Sequence, residues 1–412
     1  MPAPARKVSF HLLCRITIEG AFSDYALRTR EVDGLSERDR NLTTEIVYGT
    51  LRWQGWLDVS LSRASSRPLD EIDPRLLVLL RMSVYQMSRM DRIPDRAVVH
   101  DAVEIARAAV GKGSDRFVNA VLRRIGLQRP WQDPAFEESL ADAARVSLPE
   151  WLWRRWSARF GREAALAYAR TLLAPPRRAV RAAEAPPGFE SSPLVPGAWL
   201  EMPGAPPTRD AAAFQDEASQ LIPHLFGDLE GRTVWDACAA PGGKTSALVD
   251  LAGRHGHVVA SDLRLPRVPP AGSAGFLVAD AAAPPFRVRF DAVLADVPCS
   301  GLGTLRRNPE IKWRLAESDL QRLSLLQGAI VRAVAGTVGP GGRLLYSTCS
   351  TEPEENEDVV ETFLGGVPGF RRMRPETPAG IGAWIDPSGS VRTFPSEHRW
   401  DGFFAALMIR EP

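Results

Sequence analysis

From about residue 226 to the end of this 412-residue chain, short apolar runs alternate with helical stretches. That alternation constrains the fold more than any other feature. The candidate strands are Thr233–Asp236, His257–Asp262, Phe276–Asp280, Phe290–Asp296, Arg343–Thr348 and Phe403–Ile409. Helices fit after Lys244 and from about Ser318 to Ala335. Repeated β–α units imply a parallel, doubly wound sheet, which takes its ligands at the carboxyl edge of the strands. Four successive strands end in an acid: Asp236, Asp262, Asp280 and Asp296. One aspartate after a strand is usually a turn or helix cap. Four along one edge point to a binding site.

The chain before this region has a different character, and its length exceeds what one ordinary core holds. From about 8 to 128, apolar residues recur at helical spacing, as in Leu42-Ile46-Val47-Leu51 and in the run from Leu76 to Met87. Turn signals such as Asp33-Gly34, Asp73-Pro74 and Ile93-Pro94 separate the segments. An all-α domain is expected over 1–130 and a small arginine- and tryptophan-rich linker domain over 131–225, leaving 226–412 for the α/β domain. Between Arg145 and Arg181 nine arginines stand against two acids, Glu150 and Glu163. A solvated helix face explains part of that excess. Arg154, Arg155, Arg159, Arg177 and Arg178, interleaved with Trp151, Trp153 and Trp156, also suit a nucleic-acid backbone with planar groups stacking. The formal net charge is only +1, so any nucleic-acid surface has to be local.

The four cysteines are Cys14, Cys238, Cys299 and Cys349, and no pair has Cys-x-x-Cys spacing. A zinc site is therefore not expected, and free thiols in so large a chain fit a reducing cytoplasm. Neither a signal-peptide core nor a membrane-length apolar stretch occurs, so a cytoplasmic protein is expected. Cys299 and Cys349 each follow an apolar run, in Asp296-Val297-Pro298-Cys299-Ser300 and Ser347-Thr348-Cys349-Ser350. If those runs are neighbouring parallel strands, both sulfurs emerge at the ligand-binding edge. Cysteine is often just a small buried hydrophobe, but a thiol there is also a tunable nucleophile.

The first strand ends in Asp236-Ala237-Cys238-Ala239-Ala240-Pro241-Gly242-Gly243-Lys244-Thr245. Gly242-Gly243 permits a tight turn with backbone close to a ligand. A phosphate-binding P-loop would need glycine at position 238, which is cysteine, so an ATP-dependent enzyme is disfavoured. Asp262 lies 19 residues beyond Gly243, where a ribose hydroxyl pair is held in such folds. Asp280 is placed to meet an adenine amino group. The edge suits an adenosine without a phosphate chain, and S-adenosylmethionine fits better than ATP or a dinucleotide. Two thiols and an acid at that edge match one further chemistry. A thiolate adding to C6 of cytosine makes C5 able to accept a methyl group, and a base must then remove the C5 proton. Position alone does not say which thiol attacks.

These residues closely resemble the RNA (cytosine-5)-methyltransferase family, in particular the bacterial 16S rRNA type with a NusB-like amino-terminal domain. Matching segments include Gln215-Asp216-Glu217-Ala218-Ser219-Gln220, Cys238 to Lys244, Asp296 to Gly301 and Thr348-Cys349-Ser350. They also include Arg306 to Trp313, Glu354-Glu355-Asn356 and Asp401-Gly402-Phe403-Phe404. In the helical part Tyr48 to Trp53 and Phe117 to Arg124 match as well. The resemblance implies a multidomain protein: a NusB-like all-α domain, a small α/β linker domain and a Rossmann-like class I methyltransferase domain. It further implies Cys349 as nucleophile, Cys299 assisting release, and a supporting role for Lys244 beside Asp296 or the target base. Cys238, Ala239, Ala240, Pro241, Gly242, Gly243, Lys244, Asp262, Asp280 and Asp296 would line the S-adenosylmethionine site. Substrate and partner would be RNA, 16S rRNA first and tRNA as the close alternative, with the protein acting as a monomer. A non-catalytic RNA-binding factor is the contrasting reading, opposed by the intact Cys299, Cys349 and Asp296. One departure from the family pattern is the short, proline-broken stretch Leu265 to Gly272, which forbids a normal helix and reshapes the adenosine pocket wall. The segment near 177–208 is shortened too.

Overall fold

The computed structural model describes residues 2–205, 214–265, 274–378, 380–394 and 400–412. It forms two compact units, Met1–Ala174 with Leu305–Arg314, and Pro175–Thr304 with Leu315–Pro412.

The first unit is helical. Helices Pro4–Thr17, Glu37–Ala64, Pro74–Arg89, Asp95–Ala109 and Ser114–Gln128 turn their apolar stripes inward. Leu12, Leu13, Ile46, Leu57, Leu79, Leu80, Leu122 and Ile125 make a fully buried core. The helix starts are written locally. Ser36 Oγ accepts from the Asp39 amide, and Asp73 accepts from the Arg75 amide ahead of a proline at the first helical position. Residues 131–174 belong to this unit rather than to a separate linker domain. The Trp56 indole donates to Glu137 at 2.8 Å and meets Phe136 edge-on, and the Gly55 amide donates to Ser147 Oγ.

A segment distant in sequence completes the helical unit. In Leu305–Arg314, Glu310 accepts from both the amide and the hydroxyl of Ser23, each at 2.9 Å. Lys312 Nζ donates to the Arg52 carbonyl, the Trp313 indole to the Leu51 carbonyl, and Arg314 to the carbonyls of Ile16 and Ala21.

The second unit opens with a small antiparallel sheet of β1 (Ala179–Arg181), β2 (Phe189–Ser191) and β3 (Ala198–Glu201), in the order β1-β3-β2. Val195 and Ala198 share a core with Leu221, Leu225 and Val234, so residues 175–225 fold into the α/β unit. The main sheet comprises β4 (Thr233–Asp236), β5 (His257–Asp262), β6 (Gly275–Val278), β7 (Phe290–Asp296), β8 (Val338–Thr348), β9 (Phe370–Arg372), β10 (Val391–Arg392) and β11 (Phe404–Arg410). Its order is β10-β11-β8-β7-β4-β5-β6, with β9 also on β11.

The five strands from β8 to β6 are parallel, as the β–α alternation requires. The expectation of a wholly parallel sheet needs correction. β11 runs antiparallel to β8, β9 and β10. After the helix Glu357–Gly366 the chain returns through β9 and β10 without a further β–α crossover, so the last strand enters from the opposite end.

Candidate active site

Strand order reverses at β4, which has β5 on one side and β7 on the other. A crevice opens at such a switch point, and the glycine loop lies at its edge. The Ala237 amide donates to the Leu294 carbonyl and the Ala239 amide to the Ser261 carbonyl, both at 2.9 Å. Asp262 holds the next turn by accepting from the Ala240 amide at 3.0 Å. Gly242 turns the chain at φ +109°, which a side chain disfavours, into the helix Gly243–Ala252. A Cβ on Gly243 would lie 2.9 Å from Gln215 Oε1, so the Gln215 side chain leaves no room for a larger residue there.

Acids gather here. Asp236 is buried, with Oδ2 accepting from Thr245 Oγ1 at 2.7 Å and Oδ1 unpaired among the described residues. Burial pushes its pKa up from 3.8 to about 7, against the Thr245 hydrogen bond. The Cys238 thiol is pushed well up, first by burial and then by the charges of Asp236, Asp296, Asp262 and Asp280. Cys238 is thus a neutral thiol at the carboxyl end of β4. Asp280 stands two residues past the end of β6, exposed, and caps the turn to Ala282.

Lys244 is the cation set among these four acids, and its Nζ is 2.6 Å from Asp296 Oδ2. Such a field suits a ligand carrying positive charge and repels a triphosphate. The unpaired Gln215 Oε1 is an acceptor that suits the hydroxyl or ammonium donors of S-adenosylmethionine, and the unpaired Asp236 Oδ1 donates when protonated and accepts when ionised. The residues present therefore fit that cofactor.

The thiols meet across β7 and β8. Parallel register sets Asp296 opposite Ser347, whose hydroxyl donates to Asp296 Oδ1 at 2.7 Å. Both carboxylate oxygens are then engaged, one by Lys244 and one by Ser347. Three residues beyond Asp296 and two beyond Ser347, the Cys299 and Cys349 sulfurs lie 3.2 Å apart. Both cysteines are half-buried. The hydrogen bond to Cys349, burial and the charge of Glu355 all push the Cys299 thiol well up. Burial works against the Lys244 ammonium, but Asp296 more than reverses it and Lys244 stays charged.

Residues 225–409 match the family described as 16S rRNA methyltransferase RsmB/F, and residues 3–126 match the NusB family. The probable ribosomal RNA small subunit methyltransferase B of Bacillus subtilis is 31% identical over 98% of both chains. The ribosomal RNA small subunit methyltransferase B of Pseudomonas putida is 32% identical over 92% of both. This chain belongs to the RsmB/F methyltransferase family. The solved structure of PH0851 superposes with a TM-score of 0.81 at 25% identity, covering 100% of this chain and 99% of that one. NSun6 from Pyrococcus horikoshii, solved with SFG, shares the fold over 64% of this chain and 98% of its own, at 18% identity and a TM-score of 0.55. The cofactor of this RsmB/F methyltransferase is S-adenosylmethionine.

Other side chains of this methyltransferase complete the site without having been singled out from the sequence. Ser347 and Thr245 engage Asp296 and Asp236. Ser300 and Ser350, each directly after a cysteine, both reach the buried Glu355. The repeated Cys-Ser dipeptide was the available signal.

The arginines of the middle segment are divided between the two units. Arg154 and Arg159 are exposed and Arg155 half-exposed on the helix Glu150–Phe160. Of the three tryptophans beside them, Trp151 is half-exposed, and the other two offer no face for stacking. Trp153 and Trp156 face the core, Trp156 lying 4.5 Å from the Tyr168 ring, because an amphipathic helix turns its apolar positions inward. Arg177 pairs with Glu190 at 2.6 Å, and Arg178 with Glu201. The proline-broken stretch from Pro266 to Gly272, and the part of 177–208 beyond residue 205, lie outside the described residues. Among the described residues no helix is long and apolar enough to cross a membrane, and no group of three metal-ligating side chains is placed to hold a metal.

Proposed function

We propose that this methyltransferase modifies C5 of a cytidine in RNA, 16S rRNA first, through a transient bond from Cys349 to C6. One observation carries the reading: two half-buried sulfurs 3.2 Å apart, next to a carboxylate held by Lys244 and Ser347. The names of the relatives support the RNA class and the small-subunit target.

The family resemblance makes Cys349 the attacking sulfur, with Cys299 hydrogen-bonded beside it at 3.2 Å. Addition of the Cys349 thiolate to C6 leaves C5 with enamine character, and the negative charge that develops toward N3 is met by the Lys244 ammonium, which Asp296 holds in place. When bound, S-adenosylmethionine supplies an electrophilic methyl carbon on a sulfonium. Cys238 to Gly243, Asp262 and Asp280 would hold it, with Lys244 fixing Asp296. A solvent base takes the C5 proton, the C–H electrons form the C5=C6 bond and the C6–S electrons return to Cys349, which frees the methylated base; Cys299 assists this release. The cytidine has to be unpaired or flipped out to expose its ring face. Arg154, Arg155 and Arg159 are offered as phosphate contacts, with Arg177 and Arg178 when released from their acidic partners. The reading has the enzyme working as a monomer without a metal, in a cytoplasm whose reducing poise keeps both thiols free.

Methyl transfer from labelled S-adenosylmethionine, with bisulfite sequencing of the product, tests this directly. Cys349→Ala is expected to abolish transfer, whereas Cys299→Ala leaves a covalent protein–RNA adduct on a denaturing gel. Adduct accumulation in the first variant would reverse the assignments. Label on any atom other than cytidine C5 would sink the reading.

A further inference from the structure

Beneath the two thiols lies a buried carboxylate that the chemistry above does not use. Glu355 has no exposed surface and sits in the short turn Pro353–Glu355. Its Oε1 accepts from the Ser300 amide at 2.7 Å and from Gln327 Nε2 at 3.0 Å. Its Oε2 accepts from Ser300 Oγ at 2.5 Å and from Ser350 Oγ. Four donors fill the four lone-pair positions of a carboxylate. Two come from the residue after Cys299 and one from the residue after Cys349. Gln327 also donates to the Pro298 carbonyl at 3.0 Å, so the helix Glu317–Ala335 braces the Cys299 turn through the same group. The next residue continues the arrangement: Asn356 accepts from Thr348 Oγ1 at 2.6 Å and donates to the Ser350 carbonyl at 3.0 Å.

We propose that Glu355 is a positioning residue that ties the two cysteine turns to one another and so sets the distance and the direction between the sulfurs. Hydrogen bonds to an ionised acceptor are about twice as strong as neutral ones, and burial makes each costly to break. An amide at this position loses the charge and keeps only one acceptor oxygen: its N–H₂ faces either the two serine hydroxyls, which must turn round to accept, or the Ser300 and Gln327 N–H donors, which cannot accept. An aspartate keeps the charge but is one methylene too short to reach both turns. The negative charge of Glu355 also helps keep Cys299 in its thiol form.

The proposal rests on the two-thiol reading for its consequence in catalysis, but the geometry is testable without RNA. The first measurement is the rate of Cys299–Cys349 disulfide formation with diamide, which takes up the two thiol protons and two electrons to become a hydrazine. Peptide mass mapping identifies the pair. In Glu355→Gln and Glu355→Asp the rate should fall about tenfold or more as the effective concentration of one thiol at the other drops. The second is steady-state kinetics. kcat should fall about 100-fold while KM for S-adenosylmethionine stays within about twofold, as a misplacement near 1 Å predicts. Should Glu355→Gln fail to fold, Ser300→Ala and Ser350→Ala each remove one arm of the clamp and should slow both measurements more modestly. Wild-type disulfide rates in the Glu355 variants would overturn the proposal, whatever happens to kcat. Slowed disulfide formation in an enzyme whose product is not 5-methylcytidine would retain the clamp and overturn the C5 reading instead.

Discussion

Asp236 is the acid whose behaviour departs most visibly from that of its residue type. Folding raises its pKa from 3.8 to about 7 through burial. The native state therefore binds this proton more tightly than the unfolded chain does. Its contribution to stability is fully present below about pH 3.8 and is lost as pH rises through about 7. Asp236→Asn keeps an acceptor for the Thr245 hydroxyl and removes the titration. Urea denaturation of the α/β unit should show the variant gaining on the wild type by about 2–3 kcal/mol between pH 5 and pH 8. A pH-independent difference would mean that Asp236 is ionised throughout. That a strand-end aspartate matters was legible from its place in a row of four. Its protonation was not, because burial is set by the strands on either side, and no local pattern reports them.

Among the elements, the thiol geometry depends on the short turn Leu302–Thr304 that follows Cys299. The Gly303 amide donates to the Cys349 carbonyl at 2.9 Å, and its own carbonyl accepts from the Gly402 amide at 2.8 Å. A Cβ at Gly303 would lie 1.9 Å from the Gly402 carbonyl oxygen and 2.9 Å from that of Cys349, so backbone has to move to admit it. Gly303→Ala is expected to cost about 1–3 kcal/mol in the melting of the α/β unit and to lower kcat about tenfold or more. Retention of full activity would mean that the turn tolerates displacement. The strands themselves were readable from the sequence: β4, β5 and β7 fall at the expected residues, because a fully buried parallel strand reads as a continuous apolar run. The direction of β11 was not, because an apolar run looks the same whichever way it enters the sheet.

Over the whole molecule, the helical unit is not made from one continuous stretch. Leu305–Arg314 folds with Met1–Ala174, although it lies between the cysteine turn and the helix Glu317–Ala335. Trp313 is one of its attachments: its indole donates to the Leu51 carbonyl at 2.8 Å, and its ring lies 2.9 Å from the position a Cβ on Gly55 would occupy. Trp313→Ala should lower the helical unit's transition in calorimetry by about 2–4 kcal/mol, below or near the range for a fully buried tryptophan because Trp313 is half-buried. The transition of the α/β unit should move less. Equal shifts in both would show that the segment does not belong to the helical unit alone. Composition marked a change of character near residue 130, but composition follows local sequence and cannot show which core a helix joins. Phe136 and Trp156 are buried in the helical unit, and Val195 in the α/β unit.

The β–α alternation, the helical first part, the acids at the strand ends and the two thiols beyond β7 and β8 could all be read along the chain. Each depends on periodicity or spacing within a few residues, which the chain carries wherever it folds. Folding in three dimensions was needed to bring the sulfurs to 3.2 Å, to join the turns behind them through Glu355, and to add a decapeptide from the α/β half of the chain to the helical unit. Those pairings join residues tens to hundreds of positions apart, and their partners are selected by sheet register and burial.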